Sequence, residues 1–138
     1  MRRTLPILAA LLALSIPALA QTPATDRALR TTVGVSDPLA ARFWPDVIAQ
    51  ASKIQLAYAP LVNITEATDR FGRRITVTQF MSGITCGAQA CSTRIYIDGN
   101  LQSETLTCGE WDQVKLAADA TFLDSCGSRV DIPTKLPE

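Results

Sequence analysis

The first twenty residues constrain this chain most. Arg2 and Arg3 precede an apolar run from Leu5 to Leu14, and Pro17 breaks it ahead of Ala18-Leu19-Ala20. A charged start, an apolar centre and a small-x-small end are the three parts of a secretory leader. A membrane-spanning helix needs about 20 apolar residues; this run is shorter and is interrupted by Pro6 and Pro17. Residues 1–20 therefore read as a signal peptide cut after Ala20, which leaves the mature form without a membrane anchor. No cysteine adjoins the cut to take a lipid. The short leader suits a bacterial envelope, with the mature chain periplasmic or secreted. Cleavage takes the most hydrophobic segment out of the fold and places the rest in oxidising surroundings.

All four cysteines, Cys86, Cys91, Cys108 and Cys126, lie in the mature part. In an exported chain they imply two disulfides, and sequence alone leaves three pairings open. The favoured pairing is Cys86–Cys91 with Cys108–Cys126. The first would close a four-residue loop between two strands, with Cβ atoms at cross-strand distance. A redox role is disfavoured, because four residues rather than two separate Cys86 from Cys91 and no strand-then-helix pattern surrounds them. The chain has no histidine, so neither a metal site nor a cofactor is expected.

The mature part carries eleven bases and thirteen acids, a net charge of −2, which gives no basis for nucleic-acid binding. The charge is uneven: residues 21–94 sum to +3 and residues 95–138 to −5. Such a division can steer a charged partner, or cancel where the halves interleave.

Along the chain, residues 21–35 are polar, Thr-rich and aperiodic, and read as a flexible N-terminal arm. Asp37-Pro38 supplies an N-cap and a first helical proline. Pro45 ends that turn near Trp44 and can begin a second helix. Val47, Ile48, Ala51, Ile54, Gln55 and Tyr58 then share a helical face, and Pro60 stops it. Residues 54–58 also alternate like a strand, which leaves the helix end open. Phe43, Trp44 and Tyr58 read as a packing seam.

From Leu61 the period becomes two. Strands are expected around Val62–Ile64, Ile75–Met81, Thr93–Ile97 and Leu101–Cys108, then at Val114–Leu116, Thr121–Ser125 and Arg129–Ile132. Turns are expected at residues 68–73, at Asp98-Gly99 and at Cys126-Gly127-Ser128. The expected class is α+β, mainly antiparallel β. It would be an N-terminal helix packed on a small disulfide-stapled β-meander, closing as a sandwich or small barrel. One globular domain spans 36–133, and 134–138 form a tail.

Catalytic signatures are few. Without histidine, Ser-His-Asp and Cys-His systems are absent, and no nucleophile elbow or phosphate-binding glycine loop occurs. Glu104, Glu110 and Asp112 could in principle act as paired carboxylates of a small envelope hydrolase. Asp98–Asn100 supplies too few oxygens for calcium. Asn63-Ile64-Thr65 matches a glycosylation sequon by chance in a bacterial host.

Two features suit recognition. Arg70, Phe71, Arg73 and Arg74 put three cations and an aromatic in one loop, and Arg94 could lie across the sheet nearby. Guanidinium groups fit carboxylate, phosphate or sulfate. The Cys86–Cys91 loop is a rigid protrusion that would bind at low ordering cost. The leading expectation is a non-enzymatic binding or inhibitory domain acting through these loops on another envelope protein or an anionic ligand. The alternatives are the carboxylate hydrolase and a structural part of an envelope assembly.

Overall fold

The computed structural model describes residues 29–56 and 58–133. The expected leader, residues 21–28 of the arm and the tail at 134–138 lie outside the described residues. The described residues are mostly antiparallel β, in two sheets, with two short α-helices, a 3-10 turn at Trp111–Gln113 and two disulfides. The larger sheet has the order β1-β2-β3-β4-β5: Leu29–Gly34, Leu61–Thr68, Arg74–Met81, Ala90–Ile97 and Asn100–Cys108. The smaller has β6 (Val114–Leu116), β7 (Phe122–Ser125) and β8 (Ser128–Asp131) in sequence order.

Residues 29–34 correct the expectation of an arm reaching to 35. Their polar, Thr-rich composition hides an edge strand paired from Leu29↔Glu66 to Gly34↔Leu61. From Arg30 to Gly34 no side chain of this edge strand is fully buried, so no apolar alternation is demanded of it. Its mates here are backbone groups of β2.

The helices follow their prolines. Helix α1 (Pro38–Phe43) is capped by Asp37, whose carboxylate accepts from Leu39 N at 2.9 Å. Pro45 ends it at Trp44 and starts α2 (Pro45–Ala51). Helix α2 is shorter than its apolar spacing suggests. The amides of Lys53 and Ile54 bond three residues back, and Ser52 Oγ donates to the Ala49 carbonyl at 2.9 Å. Local bonds of this kind compete with helix propagation. Ile54 and Tyr58 are consequently exposed, and Tyr58 does not join Phe43 and Trp44, which are buried.

The two faces of the larger sheet alternate with residue number, as pleating requires. On one face, Val62, Ile64, Phe80 and Tyr96 form a buried cluster with Ala40, Phe43 and Trp44. Trp44 is fully buried, donates from Nε1 to Thr78 Oγ1 at 3.0 Å and tilts against Phe80 at 5.5 Å. On the other face, Ile75, Val77, Ile95 and Ile97 cluster with Leu116, Ala120, Leu123 and Ile132. Deeper along that face the lining is polar. Gln79 donates to Thr107 Oγ1 and to the Cys108 carbonyl, both at 2.8 Å, and Thr93 and Thr107 share a 2.6 Å bond. Thr65 Oγ1 is buried there without a partner.

Both disulfides join the favoured pairs, Cys86–Cys91 and Cys108–Cys126. The Asp98-Gly99 turn takes φ of 50° and 83°, the left-handed pair that a two-residue hairpin demands. Cys126 and Gly127 repeat this between β7 and β8.

Candidate binding surface

The meander sends successive turns to alternate ends of the larger sheet. The β2–β3 and β4–β5 turns share one end, and the Cys86–Cys91 loop between β3 and β4 sits at the other. Eight residues of β3 separate them, about 24 Å at the usual strand rise. The two loops singled out from the sequence therefore cannot serve one small site together.

At the first end the turn 69–73 is fixed by one carboxylate. Asp69 Oδ1 accepts from the amides of Phe71 and Arg73, each at 2.9 Å, and Oδ2 meets Arg73 Nε at 2.7 Å. Burial pushes the Asp69 carboxyl up, but the Arg73 amide and guanidinium and the Phe71 amide outweigh it and hold its pKa below the usual value. Gly72, at φ 77°, supplies the left-handed residue the turn needs. The backbone is thus pinned while the Phe71 ring stays 65% exposed. The Arg70 and Arg73 guanidiniums lie 4.7 and 5.5 Å from its centroid.

The neighbouring β4–β5 turn is locked to this one. Arg74 N donates to Asp98 Oδ1 at 2.9 Å, and Asp98 N to the Arg74 carbonyl at 2.8 Å. Arg42 of α1 reaches the same turn, with Nη2 3.7 Å from where a Cβ on Gly99 would stand. Arg42 and Arg74 also line a recess of about 140 Å³ with Leu39 and Glu66. Among the described residues, no carboxylate lies within ion-pair distance of Arg42, Arg70 or Arg74. Arg73, by contrast, is committed to Asp69.

Arg94 does not belong to this surface. It pairs in register with Thr78, four residues along β3 from Arg74, about 13 Å away, and is buried. Its guanidinium binds both oxygens of Asp46 at 2.8 and 2.7 Å, Glu104 at 2.8 Å and the Phe43 carbonyl at 3.0 Å. It also lies 4.2 Å over the Trp44 ring. Hydrogen bonding from Arg94 lowers the Asp46 pKa to about 2. The bonds to Asp46 and Glu104 overcome burial and raise that of Arg94. Arg94 ties α2 to the sheet, and its charge is spent on that role.

The three acids considered for catalysis are not brought together. Glu104 faces Arg94. Glu110 lines a cleft of about 550 Å³ between the two disulfides, with Tyr58, Met81 and Gln89. Asp112 lines a separate groove with Arg30 and Lys115, where Arg30 lies over the Trp111 ring and donates to the Trp111 carbonyl. Among the described residues, no three His, Cys, Asp or Glu side chains are grouped as metal ligands would be.

Sequence reasoning missed Arg42, Leu39 and Leu101 at the basic end. The signal was available, because consecutive hairpins put alternate turns at the same end and Leu101 directly follows Asp98-Gly99. Comparison with protein-family models, with curated proteins and with solved structures returns no significant match.

Proposed function

We propose that the mature chain is an exported, non-enzymatic binding domain of the cell envelope, periplasmic or secreted, that captures an anionic partner through the β2–β3 tip. The observation that carries this reading is Phe71, a large ring left in solvent on a turn whose backbone is pinned by Asp69. Natural hairpin tips are usually small and polar. An exposed aromatic between guanidiniums on a rigid turn is a preorganised contact surface. The two disulfides fit an oxidising compartment, and the leader-like N-terminus supports export.

The finer architecture in this proposal has three layers. The helical pair covers one face of the larger sheet and the smaller sheet covers the other, as the membership of the two buried clusters supports. Such a scaffold would hold the tip rigid while all three layers are occupied with packing.

The test uses phosphocellulose as the anionic probe and a salt gradient on mature, oxidised protein. Residues 21–138, with a net charge of −2, are retained only through a local cationic patch. Retention of the wild type is expected, with Arg70→Ser/Arg74→Ser eluting at distinctly lower salt. Arg73 is left intact because its loss would release the turn. Identical elution of the two proteins would reject this surface.

A further inference from the structure

We infer that the anionic partner is a lipid surface, with Phe71 entering the headgroup region and Arg42, Arg70 and Arg74 contacting lipid phosphates. This rests on the binding reading above and specifies its partner. Three large apolar side chains point out at or beside the same end: Phe71 at 65%, Leu101 at 50% and Leu39 at 42% exposure. They come from three elements, a hairpin turn, the start of β5 and the first turn of α1, so they form separate apolar points rather than one continuous patch. A protein partner would need a shaped pocket for each. A fluid interface accepts all of them without shape matching, and aromatic rings favour that depth.

The cations are arranged to match. Arg70 and the Asp69-paired Arg73 flank the ring, while Arg74 at the start of β3 and Arg42 on α1 line the neighbouring recess. Long guanidinium side chains reach phosphate while their stems cover apolar surface. Each of the acids at this end accepts a hydrogen bond, although Asp98 is exposed and Glu66 half-exposed. Asp69 is held by Arg73 and two amides, Glu66 accepts from Thr76 Oγ1 at 3.0 Å, and Asp98 accepts from Arg74 N. Among the described residues no helix is long and apolar enough to cross a membrane. Each arginine near an anionic surface contributes about fivefold to affinity, and insertion of a ring with this exposure about thirtyfold.

The experiment sediments mature, oxidised protein with vesicles of pure phosphatidylcholine or of phosphatidylcholine with 30% phosphatidylglycerol (roughly the charge density of an anionic leaflet). Binding to the anionic vesicles alone is expected. Phe71→Ser should weaken it about thirtyfold and Arg70→Ser/Arg74→Ser about twenty-five-fold. In Phe71→Trp, emission over the wild-type background should shift blue and be quenched by brominated lipid. The Phe71 ring has no buried contact to lose, and near-ultraviolet circular dichroism checks that each variant is folded. Retention on phosphocellulose without vesicle binding would overturn the lipid proposal and leave an acidic protein as partner. Equal vesicle binding by wild type and Phe71→Ser would overturn insertion. Failure on both supports would reject the binding reading itself.

Discussion

Replacing Arg94 tests whether one buried guanidinium ties α2 to the sheet. Arg94→Met keeps the apolar stem and removes every polar contact. The two ion pairs involve carboxylates that are 61% and 46% exposed, so solvent screening limits each to about 0.5–1 kcal/mol. The bond to the buried Phe43 carbonyl adds about 1.5 kcal/mol, and the face contact with buried Trp44 about 1 kcal/mol. These groups are coupled, so simple addition overstates them, and a loss of about 3 kcal/mol is expected. Arg94→Lys keeps the charge but cannot serve two carboxylates, a carbonyl and a ring at once; about 2 kcal/mol should be lost. Urea unfolding at pH 7, followed by tryptophan fluorescence under oxidising conditions, reads both as shifts in midpoint at constant slope. If Arg94→Lys lies within about 0.5 kcal/mol of wild type, charge alone suffices and the clamp reasoning is wrong. A cost below about 1 kcal/mol for Arg94→Met would refute it equally.

Three further outcomes follow from the same contacts. Removing Cys108–Cys126, a separation of 18 residues, should cost about 3 kcal/mol and removing Cys86–Cys91, a separation of 5, about 2 kcal/mol, read by denaturation of the paired serine variants. The pKa of Asp46 is lowered from 3.8 to about 2 and that of Asp69 is also lowered, so each adds stability above the unfolded value that disappears as the pH falls through the folded one. Unfolding midpoints should therefore drop between about pH 4 and pH 2, and Asp46→Asn should flatten that slope by about 1 kcal/mol once its exposure is allowed for. Thr65→Val replaces an unpartnered buried hydroxyl with a methyl, and should be neutral or stabilising by up to about 1 kcal/mol in thermal unfolding.

Much of the scaffold could be read from local chemistry. Asp37-Pro38 and Pro45 marked both helix starts, and Asp98-Gly99 marked a hairpin, because capping and positive φ are properties of a few adjacent residues. The disulfide pairing followed from loop closure between strands. Strand β1 was hidden because an edge strand takes its partner from elsewhere in the chain and needs little pattern of its own. The end of helix α2 stayed open in the sequence because the spacing of Ile54 and Tyr58 carries no information about the Ser52 hydroxyl that competes for the Ala49 carbonyl. At the candidate site, the cluster from Arg70 to Arg74 was visible in one short stretch. The role of Arg94 was not, since Asp46 and Glu104 lie 48 and 10 residues away in sequence and only the tertiary fold brings them to it. The commitment of Arg73 to Asp69 was hidden in the same loop, because a charged side chain looks equally available in sequence whether or not it has a partner.

The most direct measurement is a map of backbone amide shifts in mature, oxidised, isotope-labelled protein titrated with micelles of short-chain phosphatidylglycerol. Shifts concentrated at residues 70–74 and 98–101 and at Arg42, saturating together and weakened by Phe71→Ser, are the expected result. Shifts concentrated instead around Cys86–Cys91, Gly109 and Tyr58, with the turn end unmoved, would place binding at the opposite end of the sheet and contradict it.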